Sequence, residues 1–332
     1  MIGECRILDD KAVCLVERQS PKALSLAVGW AASRSLRQVE VVFEDPRAAA
    51  TAARRAPLFA LDVSVWVRGA GGPIPAEPDP FPAWPEPGAD AARVAEELFG
   101  WLAAAPSTAG SRAGEVTGGS EGIARTPEAG RRRAEAPRLV ADHGCVVLEL
   151  DGLEVARVLD TDEGARVEVG VGVRDRLLRP VAPMEMKRRL ERVAHEVRSK
   201  RREGSPHPYS RLSRGAWYRN RCLAEPARIG LRDAEPIPLA EPREVAADLQ
   251  PAAARGRDDR GNVHVLVFAP GPDPDAVTVA AELRLWLREI GERADRLRIL
   301  VPSEADLRPL ARIVETLREP VDTEVAPRDP HG

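Results

Sequence analysis

The residues best suited to chemistry lie between Glu154 and Arg221. In MEMKRRLERVAHEVRSKRR, an apolar stripe of Met186, Leu190, Val193, Ala194 and Val197 leaves Lys187, Arg188, Arg192, Arg198, Lys200, Arg201 and Arg202 largely on the other faces of a helix. After an SPHPYS turn, Arg211, Arg214, Arg219 and Arg221 are interleaved with Tyr209, Trp217 and Tyr218. Guanidinium and ammonium groups hold phosphate oxygens and aromatic rings stack on bases, so the pattern points to DNA or RNA as a partner. The competing assignment pairs these arginines with acids on neighbouring elements and packs Trp217 in the core.

The elements that must position these residues begin upstream. Runs rich in β-branched residues at Cys145 to Asp151, Leu153 to Leu159 and Ala165 to Gly172, separated by Gly and Asp turns, predict a β-meander that leads into the basic helix. Glu154 lies on the second run and Glu168 on the third. A helix expected over Ala89 to Ala104 precedes them, with Val94, Leu98, Trp101 and Leu102 on one face. This order of helix, three strands and helix resembles the core of the PD-(D/E)XK, or restriction-endonuclease-like, superfamily, over roughly Ala89 to Arg202. The resemblance implies a divalent-metal nuclease in which Glu154 and Glu168 are catalytic residues and ligands of Mg or Mn. Where the superfamily pattern has a lysine two positions after the third-strand acid, this chain has Gly170; Arg157 or Arg166 is the nearest replacement charge, and Asp151, Glu149 and Asp175 are further acids. Strict alternation in LEVARV and RVEVGVG offers the plainer reading of both acids as the solvent face of an antiparallel sheet.

Other chemistries lack their motifs. Neither strand-to-helix turn, ERQSPKA nor PGPDPDA, has the glycines of a dinucleotide fingerprint, and GVGVRD at Gly170 lacks the third glycine. There is no GxxxxGK[ST], and His195-Glu196 has Ser199 where a second zinc-binding histidine belongs. DTDEG at Asp160 begins like a calcium loop without its closing glutamate. No cofactor other than the conditional Mg or Mn is expected. Cys5, Cys14, Cys145 and Cys222 are far apart in sequence and form no CxxC pair, which argues against zinc ribbons and thioredoxin-like redox sites and leaves a reducing, cytoplasmic setting as the plain expectation. An acidic MIGECRILDD start and the lack of any apolar run of about 20 residues predict neither export nor a membrane partner. Net charge is −3, so any polyanion site must be local.

The whole chain reads as α/β, with two βαβαβ lobes flanking a central α+β module made of the meander and the basic helix. Residues 1–104 form the N-terminal lobe: KAVCLV, a helix from Pro21, VEVVFE, a helix from Pro46, DVSVWV, then a Pro-rich loop at 69–88 containing Phe81 and Trp84. Ser20-Pro21 and Asp45-Pro46 mark helix starts. Residues 105–137, with the run Arg131, Arg132, Arg133, read as a disordered linker. The central module is 138–233, a second linker is 234–261, and the C-terminal lobe is 262–327. That lobe repeats the pattern with VHVLVFA, a helix from Pro274, LRILV, a helix from Glu304 and VDTEV. Similar strand spacing in the lobes fits a duplication or convergence on a common unit. Three functions follow: a non-enzymatic nucleic-acid-associated or scaffold protein, a metal-dependent nuclease, or a protein-assembly module without nucleic acid.

Overall fold

A computed structural model describes residues 3–17, 22–83, 86–104, 136–172, 182–202, 204–242 and 250–327. The Ser20-Pro21 helix start, Trp84, the Arg131 to Arg133 run, all of the expected first linker before residue 136, and Asp175 lie outside the described residues.

The N-terminal lobe is a sheet in the order β1 (Glu4–Leu8), β2 (Lys11–Val16), β3 (Gln38–Phe43), β4 (Asp62–Gly69), β5 (Gly72–Pro75). β2, β3 and β4 are parallel, linked by α1 (Lys22–Ala32) and α2 (Pro46–Arg55), while β1 and β5 are antiparallel additions. Asp45 caps α2 as its sequence predicts, accepting from the Arg47 N–H at 3.0 Å ahead of Pro46. Asp9 and Asp10 both take positive φ (48° and 67°), the two-residue turn geometry that closes the β1–β2 hairpin. This turn places Cys5 directly opposite Cys14, and the two form a disulfide. A reducing setting was the expectation from spacing, which does not reveal a hairpin; Cys145 and Cys222 are outside any disulfide and buried, the Cys145 thiol donating to the Asp142 carbonyl.

The C-terminal lobe runs β10 (Asp233–Ile237), β11 (Ala252–Arg257), β12 (Val263–Phe268), β13 (Arg296–Val301), β14 (Asp322–Val325), with α6 (Asp275–Glu289) and α7 (Glu304–Val314) as its crossovers. β11, β12, β13 and β14 repeat β1, β2, β3 and β4 in order and direction. The expected linker at 234–261 is therefore corrected: it holds β10 and β11, and Ala252, Ala253 and Ala254 are buried. Alanines hide a strand from sequence reading because they carry little β-propensity, whereas here the sheet supplies the burial.

The lobes pack helix against helix around a pseudo-two-fold axis and share one apolar core. Ser25 of α1 touches Thr278 of α6 across the axis at 2.7 Å, and Phe59 pairs with Leu317 through Ala60 N–H to the Thr316 carbonyl and Arg318 N–H to the Leu58 carbonyl. The two sides of the axis differ chemically. Arg55 donates to Glu282 at 2.7 and 3.0 Å and lies 3.3 Å from Asp275, while Arg54 donates to Glu282 and Asp79. At the corresponding places on the other side Ile313 packs on Gly29, where a Cβ would come within 3.1 Å. Burial pushes the Arg55 guanidinium down, but Glu282 and Asp275 more than offset this and hold it up.

The central module is an antiparallel meander, β6 (Arg138–Asp142), β7 (Cys145–Leu150), β8 (Leu153–Thr161) and β9 (Gly164–Val169). α3 (Ala89–Ala104) and α4 (Pro183–Lys200) cover one face, packing Leu98, Leu102, Leu190 and Val197 on Val146, Leu148 and Val158. α3, which its sequence allows either to close the N-terminal lobe or to open the next module, lies in the meander's core. α5 (Arg214–Ala224) joins the meander to the C-terminal sheet. The fit is close on both sides: a Cβ on Gly215 would meet the Phe268 carbonyl at 2.7 Å, and one on Gly152, at the β7–β8 turn with φ +72°, would lie 2.4 Å from the Trp217 nitrogen.

Candidate nucleic-acid interface

α4 buries the stripe its periodicity predicts, Leu190, Ala194 and Val197 fully and Met186 and Val193 in part. The opposite face carries exposed Arg188, Arg192 and Lys200, and the chain after the helix adds exposed Arg202 and Arg211. Lys200 lies 3.4 Å from Glu196 in a solvated pair. Arg188, Arg192, Arg202 and Arg211 have no ion pair among the described residues. Exposed Glu185 and Glu191 share this helix, so the surface is basic without being uniformly so.

The remaining residues of the basic set have structural partners. Lys187 sits over the Trp101 ring at 5.7 Å, and Arg198 reaches the Leu102 carbonyl at the end of α3 at 3.4 Å. Arg201 is buried and donates to the carbonyls of Asp151 (2.9 Å), Leu212 (2.8 Å) and Tyr209, so it staples the turn after α4 to the meander. Burial lowers its guanidinium to about 10, with Asp151 countering only part of the effect. Arg219 is buried against Glu149 and Asn220. Trp217 is 4% exposed and lies between the guanidiniums of Arg201 and Arg221, each 4.8 Å from its ring centre. Arg214 donates to the Tyr218 hydroxyl at 2.6 Å. Of the basic and aromatic set, Arg201, Trp217 and Arg219 have no surface to offer a phosphate or a base.

The two acids of the metal reading fall on one face of the sheet. Val155 is a bulge without a register partner on β7, and this turns Glu154 to the side of Arg157, directly opposite which stands Glu168. Arg157 forks onto Glu154 at 2.8 and 3.2 Å, and Arg166 bonds Glu168 at 2.8 Å. Burial pushes Arg157 down, yet Glu154 more than offsets it, so the cation is fixed there. A guanidinium on each carboxylate, Arg157 on Glu154 and Arg166 on Glu168, occupies lone pairs and repels a divalent cation, so the residues present do not fit Mg or Mn. Glu154, Glu168 and the already paired Glu149 also lie on the face opposite α3 and α4, which separates them from the basic helix by the sheet itself. No cluster of metal-ligating side chains occurs among the described residues.

A cleft of about 430 Å³ on the C-terminal lobe is lined by Asp233, Glu235, Arg255, Arg257, Glu292 and Arg293 and includes none of the candidate residues. Its central Arg255 is tied to Glu235 at 3.0 Å and Glu292 at 2.5 Å. Sequence reasoning missed the inter-lobe arginines. Arg54 and Arg55 follow a run of alanines whose helix must be buried, and Glu282 interrupts the apolar face of α6; those two oddities together were the available signal. Among the described residues no helix is long and apolar enough to cross a membrane. Compared with known proteins, the chain matches no family model, no curated protein and no solved structure.

Proposed function

We propose that this is a non-enzymatic nucleic-acid-associated protein that grips the phosphate backbone of DNA or RNA with the outer face of α4 and the turn that follows. The observation that carries this reading is the set Arg188, Arg192, Arg202 and Arg211, exposed and without ion pairs among the described residues. Other exposed arginines are matched, as Arg288 is to Glu319 and Arg296 to Asp322, or stand without an ion pair among the described residues, as Arg47, Arg257 and Arg308 do; what sets the α4 group apart is four such cations on one helix and the turn that follows it. Like charges at i and i+4, as in Arg188 and Arg192, destabilise a helix by a few tenths of a kcal/mol. A polyanion lying along α4 removes that repulsion and releases its own counterions.

Base stacking is not part of the proposal, since Trp217 is enclosed between two arginines and Tyr218 is engaged by Arg214. Contacts limited to phosphates fix position without reading sequence, so duplexes of unrelated sequence should bind alike. The test is fluorescence anisotropy with labelled duplex and single-stranded DNA and RNA at low salt. Binding is expected, together with its loss in Arg188→Glu/Arg192→Glu/Arg202→Glu and its retention in Arg232→Glu on the C-terminal side. Failure of the native protein to bind any of the four probes, or equal binding by the triple variant, overturns the reading.

A further inference from the structure

The four outer edges of the two lobe sheets are not equally defended. β5 and β10 contain Pro73, Pro75 and Pro236, and β14 is a short strand whose Asp322 and Glu324 are held by Arg296 and Arg298. Such prolines and charges keep foreign strands from pairing. β1, ECRIL, has no proline and no lysine, its residues are exposed except for Cys5, and Ile7 and Leu8 are each 50% exposed. Its equivalent in the other lobe, β11, is not bare: β10 covers it in antiparallel pairing, with Ile237 opposite Ala253, the counterpart of Cys5. The pseudo-symmetry therefore displays, within the molecule, what completes this kind of edge.

We infer that β1 is a self-association edge that pairs antiparallel with β1 of a second copy, joining two N-terminal sheets into one continuous sheet. The Cα separation of 4.2 Å at Cys5–Cys14 marks a pair lying between the ladder's hydrogen bonds, so the amides and carbonyls of Cys5 and Ile7 point away from β2. With a two-fold axis at Cys5, the two Cys5 backbones exchange hydrogen bonds and the Ile7 N–H of each copy meets the Gly3 carbonyl of the other, the Gly3 N–H being already given to the Leu15 carbonyl. Glu4 of each copy lies opposite Arg6 of the other, so the Arg6–Glu4 pairs formed within each strand at 2.6 Å meet as one alternating set of four charges. Opposite charges so placed select this register. The contact is isologous and closes at two copies. A five-residue edge is a small interface, so the dimer dissociates reversibly, on the order of micromolar.

Sedimentation velocity of the full chain over a concentration series, in nucleic-acid-free buffer so that bridging by a polyanion does not register, tests the inference. A monomer–dimer equilibrium is expected. Ile7→Pro removes an outward donor without touching the β1–β2 ladder, and should weaken the dimer by at least about tenfold. Glu4→Arg alters one exposed side chain, cannot act through unfolding, and should weaken it similarly. Glu4→Arg/Arg6→Glu reverses both members of the cross-copy pair and should restore native affinity. A native protein that stays monomeric up to about 100 µM, or a dimer indifferent to both single variants, overturns the inference. A double variant as weak as Glu4→Arg rejects a second copy as the occupant.

Discussion

Arg219 and Glu149 meet with both side chains out of solvent, and Asn220 bonds each of them. Truncating one partner of a buried ion pair leaves a charge without compensation, so Arg219→Ala should cost about 3–5 kcal/mol in urea unfolding. A loss below about 1 kcal/mol would place Glu149 in a wetter site than the fold implies. Arg157 makes the corresponding prediction for chemistry: because it holds Glu154, Mn²⁺ should neither raise the melting temperature nor support DNA nicking, in the native protein or in Glu168→Ala. Metal-dependent nicking lost in Glu168→Ala would restore the nuclease reading. At this scale the sequence revealed residue types but not their partners. The acids of LEVARV and RVEVGVG do share a face, yet only through the bulge at Val155, and no sequence pattern forecasts a bulge. Likewise, Arg201 and Arg202 are adjacent and chemically alike, but one is buried and the other exposed, because α4 ends at Lys200 and the chain turns beneath the meander.

Among the elements, the β7–β8 turn and α5 form the closest joint. Gly152→Ala adds a Cβ 2.4 Å from the Trp217 nitrogen at φ +72°, so backbone strain and a clash combine, with an expected loss of at least about 2 kcal/mol. Gly164→Ala is the control: φ is also positive, at +107°, but nothing lies within 4 Å, so only strain of about 1–2 kcal/mol should appear. Equal losses, measured by thermal unfolding, would mean that α5 does not seat on the turn. Most of these elements were legible, since period-2 runs gave the meander and period-3.6 stripes gave α3, α4, α6 and α7. β1, β5, β6, β10 and β11 were not, for different reasons: Pro73 and Pro75 made β5 read as part of a loop at 69–88, Pro236 made β10 read as linker, and β6 is a five-residue strand ahead of the three runs that were read. β1 is an exposed edge with no buried alternation, and β11 is made of alanine, glycine and arginine that the neighbouring strands bury.

On the scale of the whole molecule, the first and last thirds of the chain form one core, fastened by Arg54, Arg55 and Glu282 on one side of the axis and by Ile313 on Gly29 on the other. The lobes should therefore open together, and native-state hydrogen exchange should give β3 and β13 the same opening free energy. Two well-separated values would show independent lobes. The doubled βαβαβ pattern was visible in the sequence, but the axis between the copies was not, because it depends on which faces of four alanine- and leucine-rich helices meet. The central module hangs on this rigid pair with α4 turned outward, and the proposed function rests on that outward face. Its most direct test is the salt dependence of DNA affinity for the native protein and for Arg188→Ala/Arg192→Ala/Arg202→Ala/Arg211→Ala. If these arginines each neutralise one phosphate, the slope of log affinity against log salt should shrink in the variant by about 3–4. An unchanged slope, or no measurable affinity for DNA even at low salt, would contradict a phosphate-binding face on α4.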